Sequence, residues 1–213
     1  MLELINTATE KKYKSDFIAI GCWKDGDGNP FHSVFIIKYN DETYQYHYTG
    51  KDTDAIKYDN DIRSNCFHKI TFTIHPHIIP SFIMMCKQIQ KKANPRYGFF
   101  YTGEYFDLNG QHFSKKEIGQ TMTCTGFCLN VLKGFLEENY IDYTEWTEET
   151  HQEYNYLQNF ADDHGLNVED IAESHRRISP LDLICSAYFS DLPIKKEDID
   201  SKKEEVSTYL EFS

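Results

Sequence analysis

The stretch TMTCTGFCLNVLKGFL, Thr121–Leu136, sets the reading of the whole chain. Phe127, Leu129, Val131, Leu132, Phe135 and Leu136 recur at the spacing of a buried helix. Thr121 and Thr123 are both competent N-caps, so the helix is expected over about Thr123–Glu138 with Cys124 in its first turn. Unpaired backbone N–H groups and the helix dipole favour negative charge there, which lowers the pKa of a thiol and raises its nucleophilicity. Cys128 stands one turn further in, where core packing is expected.

Outward from this helix, the N-terminal half reads as strands. DFIAIGCW (Asp16–Trp23) is a short apolar run, and KDGDGNP after it is a tight loop. HSVFIIKY (His32–Tyr39) is β-branched and aromatic. NDE makes a turn, and in TYQYHYTG (Thr43–Gly50) Tyr44, Tyr46 and Tyr48 alternate with Gln45, His47 and Thr49. The pair predicts a hairpin. A further strand is expected over His68–His75. Helices follow: Ile78–Ala93, ending in lysines; a polar stretch over Glu148–Ser174, broken at His164-Gly165; and Ser179–Phe189, with a Ser cap and Pro at the first helical position. YGFFYTGEYFDLNG between them reads as a strand and turn lining a cleft. One domain is expected over 1–213, with its core at about 16–189 and a charged helical tail at 190–213.

The 34 acidic residues against 22 basic ones give a net charge of −12, a field that repels a phosphate backbone, so nucleic acid is not an expected partner. No window approaches the length of a membrane span, and MLELINTATEKKYK lacks the basic and apolar regions of a secretory signal. Six cysteines are too sparse for a disulfide framework, and reduced thiols in the cytoplasm are expected. In DGDGNP, Asp25, Asp27 and Asn29 alternate as calcium ligands do, but Pro30 and Ile36 occupy the positions that need Gly and Glu. His75-Pro-His77 and Cys66 with His68 are each short of a metal ligand set, and no dinucleotide or phosphate loop is present. Neither metal nor cofactor is expected.

A thiol nucleophile needs a base and a group to orient it. His32 opens an apolar strand directly after a loop, and His47 lies on the next strand, where the two can be cross-strand neighbours; Gln45 is the alternative third residue. A loop, a His at a strand start, a hairpin with a polar residue, then a Cys opening an apolar helix is an order that resembles the circularly permuted branch of the papain-like cysteine hydrolases related to NlpC-type peptidases, which includes the lecithin:retinol acyltransferase-like enzymes. The matching pieces are IAIGCW, FHSVFIIKY, YQYHY and TCTGFCLNVL, with ISPLDLICSAYF similar to a late segment of that group. Ser33-Val34-Phe35 departs from the small residue, often Gly, that members carry soon after the His.

The resemblance implies an α+β papain-like domain, an antiparallel sheet packed on the Cys helix. It also implies Cys124 as nucleophile, His32 as general base and His47 as orienting group, acting on an amide, ester or peptide bond of a small-molecule, lipid or peptide substrate. Tyr97 or Tyr101 would then be the second oxyanion donor beside the Cys124 N–H. The competing expectation is a non-catalytic inhibitor or immunity-type protein that uses its acidic surface to hold a protein partner. The two readings part on whether Cys124 and His32 meet.

Overall fold

The computed structural model describes residues 3–9, 15–50, 54–99, 102–114, 120–146, 151–165, 167–172 and 175–213. In chain order the elements are β1 (Ile5–Asn6), β2 (Phe17–Lys24), β3 (Pro30–Tyr39), β4 (Glu42–Tyr48), β5 (Ile56–Asp59) and β6 (Cys66–Ile70). Then come α1 (Ile79–Lys92), β7 (Arg96–Tyr97), β8 (Tyr105–Phe106), β9 (His112–Phe113), β10 (Thr121–Met122), α2 (Cys124–Leu136), α3 (His151–His164), α4 (Val168–Ala172), α5 (Pro180–Ser186) and α6 (Lys196–Glu211). The class is α+β. A six-stranded antiparallel sheet runs in the order β1-β6-β2-β3-β4-β5.

The hairpin β3–β4 turns on Asn40 and Asp41, with φ of 51° and 63°, and Tyr39 opposite Glu42. Two consecutive left-handed residues give the turn whose twist matches that of the flanking strands. Side chains alternate across the sheet, so each strand splits into two sets. Ile18, Ile20, Cys22, Phe35, Ile37, Tyr46, Tyr48, Ile56 and Phe67 form one core with residues of α1, α2, α5 and α6. Phe17, Ala19, Trp23, Val34, Ile36 and Cys66 form a second cluster, with Ile62 and Ile70 packed on it. The sheet is therefore buried on both faces, with these helices on one side only.

Helix α2 lies across that helical side. Thr123 caps it by accepting from Gly126 N–H at 3.0 Å, and Glu137 ends it in the left-handed conformation. Phe127 is fully buried among Tyr46, Tyr48 and Phe106. Further along, Gly134 admits the β8 backbone: a Cβ there would stand 1.6 Å from the Phe106 carbonyl oxygen. The aromatic segment read as a cleft wall is thus a small hairpin, β8–β9, seated on α2. Its Glu104 and His112 pair at 3.4 Å with both side chains nearly inaccessible.

The strand expected over His68–His75 stops at Ile70. Thr71 N–H still bonds Ile18 O, but its hydroxyl turns to that of Thr73, and His75 caps a single turn at Pro76–Ile78 that leads into α1. Near the other end, Ser179 and Asp182 form a reciprocal capping box on α5, and Lys203 of α6 reaches Asp182 at 2.6 Å. The segment read as a charged tail buries Ile199, Val206 and Leu210 in the main core. Lys24 Nζ donates to the carbonyls of Leu210 and Ser213, each at 2.6 Å. The DGDG turn lies against the same place, where a Cβ on Gly28 (φ 88°) would stand 2.5 Å from Glu211 Cα. Among the described residues no helix is long and apolar enough to cross a membrane.

Candidate functional site

Cys124 is the first residue of α2, as the capping pattern predicts, and is buried at 5% exposure. Its neighbourhood can be followed from both sides. Burial holds the pKa of Cys128, one turn further along α2, well above the ordinary thiol range, and Cys124 adds to that rise. Burial also raises the Tyr97 phenol, again with a contribution from Cys124. The sheet residue that meets this first turn is Ser33: its hydroxyl lies 2.8 Å from that of Thr125, and both are buried.

His32 and His47 are brought together as expected. Nε2 of His32 and Nδ1 of His47 are 2.9 Å apart, so one ring N–H donates to the other ring. Trp23 stacks on His32 with ring centroids 4.2 Å apart and meets His47 edge-on at 4.8 Å. The Arg63 guanidinium lies 3.8 Å over the Trp23 ring. Burial first, then the charges of His47 and Arg63, press the pKa of His32 down to about 3. Burial, Arg63 and Lys57 press that of His47 down to about 4. Both imidazoles are neutral at pH 7.

This pair does not meet the thiol. Ser33 faces α2, so its neighbour His32 faces the opposite side of β3. Trp23, its cross-strand partner, belongs to the second cluster with Val34 and Ile36. On β4, Tyr46 and Tyr48 take the α2 side, leaving Gln45 and His47 on the other. The expected contact between Cys124 and His32 is thus set against this arrangement: His32 lies on the side of β3 away from α2, the helix that Cys124 opens. Each chemistry-bearing group sits where local pattern puts it, and the face assignment separates them. Nor does the pair have the proton affinity of a base poised for neutral pH.

Gln45, the alternative third residue, shares the face of His47 and donates to Asp59 Oδ1 at 2.9 Å and Asp61 O at 2.6 Å. It fixes the β5–β6 connection rather than an imidazole. Tyr97, one expected oxyanion donor, is 62% exposed beside Gly50. Tyr101, the other, lies outside the described residues. Of the remaining histidines, His68 is on the same face as His32 and stacks on Phe17, His112 pairs with Glu104, and His175 meets Phe99 edge-on. His75 and His77 are exposed and hydrogen-bonded to each other through their Nδ1 atoms.

The DGDGNP loop is closed by its own side chain. Asp25 Oδ1 accepts from Asp27 N–H and Asn29 N–H at 2.9 and 2.8 Å, and the bond from Asn29 leads in lowering the pKa of Asp25. No group of three or more His, Cys, Asp or Glu among the described residues is arranged to hold a metal. Sequence reasoning missed Trp23 and Arg63, which make the His pair a buried stack. It also missed the contact of Ser33 with Thr125. The hydroxyl of Ser33, set in an otherwise apolar strand, was the available signal, since a buried hydroxyl needs a polar partner.

Comparison with protein-family models, curated proteins and solved structures finds no match to this chain.

Proposed function

We propose that this protein is a non-catalytic binding protein that uses a papain-like layout as a scaffold, and that its partner is a protein or peptide segment. The observation that carries this reading is the separation of Cys124 from the His32–His47 pair by the sheet. A thiol without its base does not run the acyl-transfer cycle that the resemblance implies. The order of hairpin, buried sheet and Cys-headed helix supports reading the scaffold as a permuted papain-like arrangement. Net charge of −12 gives the surface long-range selectivity for some partners over others.

The competing reading, a thiol hydrolase acting through Cys124, keeps one favourable observation: the cysteine does head a capped, well-buried helix. Alkylation separates the two. Iodoacetamide labelling of Cys124, followed by peptide mass spectrometry from pH 5 to 9, is expected to be slow at pH 6 and unchanged by His32→Ala. Fast labelling at pH 6 that slows at least tenfold in His32→Ala overturns the binding reading and restores the hydrolase.

A further inference from the structure

On the side of the sheet away from α2, the described cover over Trp23 is the connection between β5 and β6 rather than a helix. The Arg63 guanidinium lies 3.8 Å from the Trp23 ring centre, and the His32 imidazole stacks 4.2 Å from it. Two groups so close to one ring take its opposite faces, so the indole is held between them. His47 closes the stack through its bond to His32 Nε2. Trp23, His32 and His47 are buried, Ile62 is half-buried and Arg63 is exposed. The connection thus lies over a cluster separate from the main core, and Ile62 is the apolar side chain by which it holds that cluster.

Each neighbouring element brings a defined group to this side. Lys57 of β5 stands opposite His47, and Arg63 comes from the connection. From β6 come Cys66 and His68, whose Nδ1 meets the Thr7 hydroxyl at 2.7 Å. Asp59 shares the side of Lys57, but its carboxylate accepts from Gln45 Nε2 at 2.9 Å and from Asp61 N–H at 3.1 Å, and Asp61 itself is exposed. Among the described residues no carboxylate bonds either imidazole of the pair. Neutral, the two rings need one N–H and one lone pair between them. One added proton keeps that bond, and a second sets hydrogen on both facing nitrogens and ends it. A proton on His32 also places a second cation on an indole that already carries Arg63. Burial first, then the neighbouring charges, hold both rings below the ordinary histidine range, so opening takes up protons and is favoured as the pH falls.

We propose that the His32–His47 pair is an acid-operated latch: as it takes up protons, Ile62 and Arg63 lift from Trp23, and the cluster beneath them becomes a surface while the helical side of the sheet stays packed. The device goes beyond the binding reading and does not depend on it. Segments held by few buried apolar contacts open locally, ahead of the whole fold. Gln45 on Asp61 O at 2.6 Å and Asn65 on Lys24 O at 2.5 Å anchor the two ends of the moving part. The lift is therefore confined to Ile62–Ser64 and breaks the bond from Cys66 N–H to Arg63 O. With an ordinary histidine value of about 6.5 in the open form, each imidazole favours opening about 25-fold between pH 7 and 5, and the two together roughly 600-fold.

The chain has two tryptophans, so Trp146→Phe leaves Trp23 as the sole fluorescent reporter. In that variant, acrylamide quenching of Trp23 is expected to rise at least threefold between pH 7 and 5 while the far-UV circular dichroism stays unchanged. Adding His32→Phe and His47→Leu should remove the rise. Shielding of Trp23 that persists until the dichroism itself is lost overturns the latch, and so does a rise that survives the loss of both imidazoles. Amide hydrogen exchange on the unmutated protein tests the same motion without any substitution. After correction for intrinsic rates, protection of Cys66 N–H should fall at least a hundredfold from pH 7 to 5. At both values it should stay below that of Phe127 N–H, which bonds Thr123 O at the start of α2. Equal protection of the two amides at pH 5, or protection of Cys66 that does not change with pH, overturns the latch.

Discussion

Lowering the pH from 7 to 5 should remove much of the stability of this fold, and the loss is assigned to named side chains. His32, His47 and His68 are buried, with pKa values pressed to about 3, about 4 and about 4. An unfolded histidine titrates near 6.5. Folded values below the unfolded one mean that the unfolded chain takes up protons first. The stabilisation is complete above about pH 6.5 and disappears as the pH falls towards 4 and 3. Between pH 7 and 5 each imidazole accounts for about 2 kcal/mol, from 1.36 kcal/mol per pH unit and partial protonation at the upper end. The three together reach about 6 kcal/mol, comparable with the whole stability of a typical domain. Urea denaturation at pH 7, 6 and 5, followed by far-UV circular dichroism, measures it. In the double variant His32→Phe/His47→Leu, apolar rings and branches take the place of the two imidazoles beside Trp23. Its pH dependence should shrink by about 4 kcal/mol, leaving that of His68. Carboxylates titrate mainly below this window. A stability curve flat within about 1 kcal/mol from pH 7 to 5 would refute the burial of this pair and, with it, the assignment of His32 to the buried side of the sheet away from α2.

Gly134→Ala should destabilise by about 3 kcal/mol in the same assay, because the Phe106 carbonyl occupies the space of the new methyl group and the β8–β9 hairpin must lift from α2. Phe127→Ala should lose about 3 to 5 kcal/mol by emptying the contact of three aromatic rings at the centre of the core. Asp182→Ala removes the carboxylate half of the α5 capping box, leaving the Ser179 hydroxyl on the residue 182 N–H, and removes the ion pair to Lys203, a loss of about 2 to 3 kcal/mol, whereas Asp182→Ser should restore part of that half and none of the ion pair. Thermal unfolding of the two Asp182 variants separates these contributions.

What could be read from the sequence was local. The Asn40-Asp41 turn, the start of α2 at Cys124, the Ser179 cap and the break at Gly165 each depend on a few neighbouring residues, and each is where its chemistry places it. The coarse class, α+β with an antiparallel sheet, followed from them. The pairing of His32 with His47 was also legible, because a short hairpin leaves little freedom of register. What the sequence did not settle was which face of that hairpin α2 covers. Alternation divides β3 into His32, Val34, Ile36 and Ser33, Phe35, Ile37, and both sets are apolar beyond their first member. Neither set announces itself as solvent-facing, so period-two reasoning fixes the partners within each face and leaves the identity of the faces open. The edge strand β5 escaped notice for another reason: IKYD is four residues long, too short for periodicity to register.

The grip of Lys24 on the carbonyls around Leu210 spans 186 positions of sequence. On a ribosome, the second strand of the sheet is exposed long before its capping helix has been made. Until then, the part of the sheet that α6 covers carries oily side chains without that helix to lie against, and a chain made at about 5 to 20 residues per second waits roughly ten seconds or more in that condition. Such a nascent intermediate is a natural client for a chaperone, and shortening the polypeptide before Leu210 should leave it prone to aggregate rather than merely less stable.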